Sequence, residues 1–154
     1  MRAATIPARS DQIDYVSSEL LPRAALLIRL LVRQLGGELS RTEIGLLNTL
    51  GGGARRITEL AELEGLAQPT ITILMKQLEK KGLVTRTRQS DDGRVVLVDL
   101  TETGSAALED YRGRLRALLG GYLAEIADEP VEALATATET LAQLVDVLQQ
   151  RPAR

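Results

Sequence analysis

Apolar positions at Ile13, Val16, Leu20, Leu21, Ala24, Ile28, Leu31 and Leu35 recur at helical intervals near the start of the chain. This spacing predicts a long amphipathic helix, capped by Ser10 or Asp11 and closed by Gly36 and Gly37. Pro22 lies inside it and is expected to kink or break it. A second helix is expected from Ser40, because Glu43 stands three residues on and completes a capping box. Its inward face is Ile44, Leu47 and Leu50, and the glycine triplet at 51–53 ends it.

The period then shortens. "ARRI" (54–57) reads as a brief extended piece, and "TELAELEGL" (58–66) as a helix of about two turns stopped by Gly65. "QPTITILMKQLEKKG" (68–82) reads as a helix with Pro69 in its first turn and Gly82 as its stop. Two short helices joined by a tight glycine-containing turn make a helix-turn-helix. "LVTRTRQ" and "RVVLVDL" are β-prone runs around a Ser90, Asp91, Asp92, Gly93 turn, which predicts a hairpin wing.

Helical spacing resumes after Leu100. Thr101 is the expected cap, and Leu108, Tyr111, Leu115, Leu118, Leu119, Tyr122 and Ile126 form an expected buried stripe. Pro130 is expected to open the last helix. Within it Val131, Leu134, Thr138, Leu141, Val145 and Leu148 alternate steps of three and four, a heptad seam. Together with Ile13, Val16 and Leu20 at the other end of the chain, this seam predicts dimerisation. The pattern as a whole is mainly α with a small β-hairpin wing: a winged helix-turn-helix with long terminal dimerisation helices. The expected segments are an N-terminal dimerisation helix (10–37), the winged domain (38–100) and C-terminal dimerisation helices (101–150).

Composition narrows the chemistry. The 154 residues include no cysteine and no histidine, which removes disulfides, thiolate chemistry and the usual neutral-pH base. The remaining candidates for catalysis are carboxylate pairs such as Asp91 and Asp92 on an exposed turn. The glycine triplet lacks the Lys-Ser/Thr of a phosphate-binding loop. An enzyme is therefore not expected, nor a metal or cofactor. No apolar run approaches a membrane span and the N-terminus lacks a signal-like core, so a cytoplasmic protein without membrane attachment is expected. Net charge is −2, but it is unevenly spread: residues 41–94 carry nine basic and seven acidic side chains, the remainder ten and fourteen. A mildly basic middle in an acidic shell suits a localised DNA-facing patch.

The middle of the chain resembles the MarR family (multiple antibiotic resistance regulators), most specifically in "LEKKGLVTR", the wing "DDGR" and the "LTETG" that follows it. The likeness covers about residues 38–108; the outer helices match only in order and length. It implies a homodimeric transcription factor, usually a repressor, whose terminal helices form the dimer. It also implies release from DNA by a small ligand, held between the dimerisation helices and the winged domain. Leu, Ile and Tyr linings suit a small apolar or phenolic effector.

On the expected recognition helix Ile71, Leu74, Met75 and Leu78 fall on one side and should pack inward. Gln68, Pro69, Thr70, Thr72, Ile73, Lys76 and Gln77 are the expected DNA-facing residues, since such helices read the major groove of duplex DNA from their N-terminal half. Two of these depart from the family, which commonly has a basic residue where Ile73 stands and an acid where Lys76 stands. An exposed Ile73 could meet a thymine methyl; a small tilt of the helix would bury it instead. By resemblance Arg94 is the wing's DNA contact and Asp92 the acid that holds it, while Arg86 and Arg88 are better placed for phosphates. The competing reading is a winged-helix module that binds protein rather than DNA. Its hallmark would be a face without cations, whereas Lys76, Arg86, Arg88 and Arg94 are present.

Overall fold

The computed structural model describes residues 8–88 and 96–150, with Arg88 described by its backbone alone. The chain divides into two compact units, Met1–Leu115 and Arg116–Arg154. In chain order the elements are α1 (Arg9–Leu35), α2 (Arg41–Leu50), β1 (Arg55–Arg56), α3 (Ile57–Glu64), α4 (Gln68–Lys80), β2 (Val84–Arg88), β3 (Val96–Leu100), α5 (Glu102–Leu123) and α6 (Asp128–Gln149).

The first helix departs from expectation at its cap. Its N-cap is Ala8, without a side-chain bond, rather than Ser10 or Asp11, and it continues through Pro22 without a break. Proline removes only the bond to the Ser18 carbonyl, and an Arg23–Glu19 pair at 2.8 Å spans the affected turn. Helix α2 begins as expected: Ser40 Oγ accepts from Glu43 N at 3.2 Å and Glu43 Oε2 accepts from Ser40 N at 2.7 Å.

The wing is more than a hairpin. β2 and β3 pair antiparallel from Val84 opposite Leu100 to Arg88 opposite Val96. β1 adds to the other edge of β3, with Arg55 opposite Val98 and Arg56 opposite Leu97, so the order is β1-β3-β2. The extended piece at Arg55 was legible in sequence; its pairing was not. The turn expected at 90–93 lies outside the described residues.

The core of the first unit joins α2, α3, α4, β2, β3 and the start of α5. Leu46, Leu47 and Leu50 of α2, Leu60 of α3, Ile71, Met75 and Leu78 of α4, Val84, Val98 and Leu108 are almost wholly removed from water. Burying each such aliphatic side chain contributes about 1.5–3 kcal/mol. Gly104 lets α5 start against this core, because a Cβ there would overlap the Leu83 carbonyl. Thr101 caps α5 as expected: its Oγ1 accepts from Gly104 N at 2.9 Å and donates to the Gly82 carbonyl at 2.6 Å.

Further along α5 the expected buried stripe is only partly buried. Leu108 is enclosed, Tyr111, Leu115, Leu118 and Leu119 are half-buried, and Tyr122 and Ile126 are exposed. In the second unit α6 starts at Asp128, two residues before Pro130, with Asp128 and Glu129 in the first turn where the helix dipole favours acids. No residue of α6 is buried. Leu134, Leu141, Val145 and Leu148 of the expected seam are exposed, Leu148 at 61%. Thr138 donates back to the Leu134 carbonyl at 2.8 Å, as Thr140 does to Thr136 at 3.0 Å, so these hydroxyls are satisfied within the helix.

Candidate nucleic-acid interface

The turn between α3 and α4 is three residues long. Gly65 adopts the left-handed conformation (φ 62°) that ends α3, and Leu66 N donates to the Ala61 carbonyl at 3.0 Å. Helix α4 then starts with Gln68 and Pro69, where a missing N–H costs nothing.

The phase of α4 follows its sequence. Ile71, Met75 and Leu78 are fully buried and Leu74 half-buried, which anchors the helix by one face. Gln68, Pro69, Thr70, Lys76 and Gln77 are exposed, and so is Ile73 at 57%. The tilt that would have buried Ile73 is absent. Thr72 is half-buried and donates its hydroxyl to the Gln68 carbonyl at 2.9 Å, leaving its oxygen able to accept.

Arg86, expected to meet phosphates, is engaged within the fold. Its side chain is 22% exposed, and its Nε lies 3.2 Å from Glu79 Oε2 at ion-pair distance, without hydrogen-bond alignment. Nη2 donates to the Thr72 carbonyl at 3.4 Å. The strand β2 is thereby braced against α4. Arg88 belongs to β2, and its side chain, like Asp92 and Arg94, lies outside the described residues.

Beside α4 lies a cleft of about 420 Å³ lined by Arg56, Thr58, Gln68, Thr72, Arg86 and Val96. Sequence reading left out Arg56 and Thr58. The signal that could have found them is the pair of arginines in the extended piece at 55–56: once it joins β3, these residues come beside the start of α4. Arg56 N also donates to Glu59 Oε2 at 3.0 Å, which secures the start of α3.

Polar ties hold the neighbouring helices in place. Thr49 Oγ1 donates to Glu64 Oε1 at 2.6 Å, joining α2 to α3. Arg112 of α5 donates from Nη2 and Nε to Asn48 Oδ1 at 2.9 and 3.2 Å, joining α5 to α2. Glu43, buried, is pulled upward by desolvation, but bonds from Lys81 and Ser40 and the charge of Lys81 outweigh this, holding its pKa below the usual carboxylate value.

The arrangement matches known regulators. The family model for transcriptional regulator SarA/Rot matches residues 36–111. YpoP, an uncharacterized HTH-type transcriptional regulator of Bacillus subtilis (strain 168), is 30% identical over 102 residues, covering 65% of this chain and 72% of that protein. A MarR family protein from Bacillus stearothermophilus superposes with a TM-score of 0.70 at 23% identity, over 91% of this chain and 99% of that one. The chain belongs to the HTH-type transcriptional regulators, and its fold is the winged helix of a MarR family protein. Another relative by sequence, the HTH-type transcriptional repressor MdtR of Bacillus subtilis (strain 168), is 29% identical over 94 residues, so the alignment spans 61% of each protein. No helix among the described residues is long and apolar enough to cross a membrane.

Proposed function

We propose that this MarR-type chain is a homodimeric, sequence-specific repressor that binds a pseudo-palindromic duplex operator and is released by a small apolar or phenolic ligand. The observation that carries the reading is the two-faced recognition helix. Ile71, Met75 and Leu78 are locked into the core, while Pro69, Thr70, Ile73, Lys76 and Gln77 stand exposed on the same short helix. Hydroxyl, amide, ammonium and apolar groups on one face are the mixture that reads base edges and phosphates in a major groove.

Dimerisation is supported by the apolar surface that the terminal helices leave uncovered: Ile13 and Val16 of α1, and Leu134, Leu141, Val145 and Leu148 of α6. Leu20 and Val131 are half-buried. A ligand site is supported by a cavity of about 150 Å³ within the first unit, lined by Leu39, Ile44, Ala107, Tyr111, Asp110 and Arg114 among others. Leu39, Ile44 and Ala107 give it an apolar wall, and Glu38, Asp110 and Arg114 give it charged ones. MdtR, named a repressor, favours repression over activation.

The test is a titration of duplex fragments selected from the source genome, at several salt concentrations. Neutralising about 6–10 phosphates should cost about 10³–10⁵ in affinity between 50 and 200 mM salt. Arg94→Ala should weaken binding by about 1–3 kcal/mol per wing while leaving folding within about 0.5 kcal/mol. Salt-insensitive binding, or none, would favour a protein-interaction module.

A further inference from the structure

We propose that Lys81 is a positioning residue rather than a DNA cation: paired with buried Glu43, it sets the angle of the recognition helix. This rests on the DNA-binding reading above. Lys76, Lys80 and Lys81 are the only lysines of the chain, and all three lie on α4 or at its C-cap. The structure separates them. Lys76 and Lys80 are exposed, and among the described residues neither pairs with an acid. Lys81 Nζ instead lies 2.7 Å from Glu43 Oε1 and donates to the Glu38 carbonyl at 3.4 Å. The Glu43 side chain is only 7% exposed.

One carboxylate thus serves two helix ends. Oε2 of Glu43 closes the capping box at Ser40 N, and Oε1 takes Lys81, the C-cap of α4. The Glu38 carbonyl adds the linker between α1 and α2 to the same knot. The core side chains Ile71, Met75 and Leu78 resist lifting α4 off the domain, but apolar contacts are non-directional and fix its tilt less well. A charge-assisted bond at the helix end supplies that direction.

The lever is long. Thr70 stands eleven residues before Lys81, roughly 16 Å along the axis at 1.5 Å per residue. A tilt of about 5° at Lys81 therefore moves Thr70 by roughly 1.4 Å, more than the width of the hydrogen-bond distance range. Releasing the pair should blur base contacts that lie far from it.

The test compares wild type, Lys81→Met, Lys81→Arg, Glu43→Gln and the Lys81→Met/Glu43→Gln double variant on one selected operator. Affinity is measured over a salt series, at a temperature where melting curves show every variant folded. Glu43→Gln keeps an oxygen for Ser40 N and leaves the lysine charge in place, so it stays informative if Lys81→Met folds poorly. A positioning role predicts that each single variant loses about threefold to tenfold in affinity with an unchanged salt slope. The double variant should lose no more than the worse single, and Lys81→Arg should recover most of the loss. A direct phosphate contact would instead lower the salt slope by about 0.9 per contact in Lys81→Met and leave Glu43→Gln at wild-type affinity or tighter. Either that pattern or unchanged affinity in both singles overturns the proposal. Failure of wild type to bind any duplex would overturn the DNA-binding reading instead.

Discussion

At the scale of single residues, burial is the part most legible in sequence. The 100° spacing of Ile71, Met75 and Leu78 located the inward face of α4, and all three are fully buried. Long-range polar partners were not legible. Glu43 and Lys81 are 38 positions apart, and nothing in either neighbourhood marks them as a pair until the fold brings them to 2.7 Å. Arg86 is a second case: nothing in the sequence marks its ion pair with Glu79 of the adjacent helix. Two predictions belong here. Ile73→Ala should leave the melting temperature nearly unchanged, since the side chain is exposed. It should also alter preference at one base pair per half-site by about 1 kcal/mol, from lost contact with a thymine methyl. A fall in stability with base preference intact would return Ile73 to the core. The second concerns acid. The carboxyl of Glu43 is held below its ordinary value in the folded chain, so the pair contributes stability that is complete above the unfolded carboxylate pKa of about 4.3. That contribution should be lost as pH falls through the lower folded value. Denaturant melts from pH 6 to 3 should show a shallower acid loss in Glu43→Gln than in wild type.

Among the elements, helix starts and stops were read where side chains carry the signal. Ser40 with Glu43, Gly65 and Thr101 all act as expected. The misses occur where no side chain is needed. Ala8 caps α1 without a side-chain bond, and α6 begins two residues ahead of Pro130, a residue that tolerates any place in a first turn. β1 is two residues long, too short for an alternating pattern, and its place beside β3 is a tertiary fact. The junction of α4, β2 and α5 is the least forgiving point of the domain. Gly82, at φ 73°, turns the chain out of α4, and its carbonyl accepts from Thr101. Gly104 then lies against the Leu83 backbone with no room for a methyl group. Gly104→Ala should destabilise the domain by about 1–3 kcal/mol or more, because the obstacle is backbone and cannot rotate aside. An unchanged denaturation midpoint would mean that α5 is free to shift at this contact.

For the whole molecule, the winged architecture followed from the order of periods along the chain: helices, an extended dipeptide, two short helices, two strands and two long helices. The fate of the terminal helices did not follow from periodicity alone, because an exposed heptad seam states that a partner is wanted without identifying it. Leu134, Leu141, Val145 and Leu148 are exposed among the described residues, so the second unit leaves that want unmet. A two-fold pairing of chains would satisfy it and would present two α4 helices to one duplex. The measurement that tests this most directly is a hydroxyl-radical footprint of the full chain on a duplex selected from genomic DNA. Two protected half-sites related by a two-fold axis are expected, their centres about 10–10.5 base pairs apart or a multiple of that. A single protected site without its symmetry mate, or a chain that protects no duplex at all, would contradict the account.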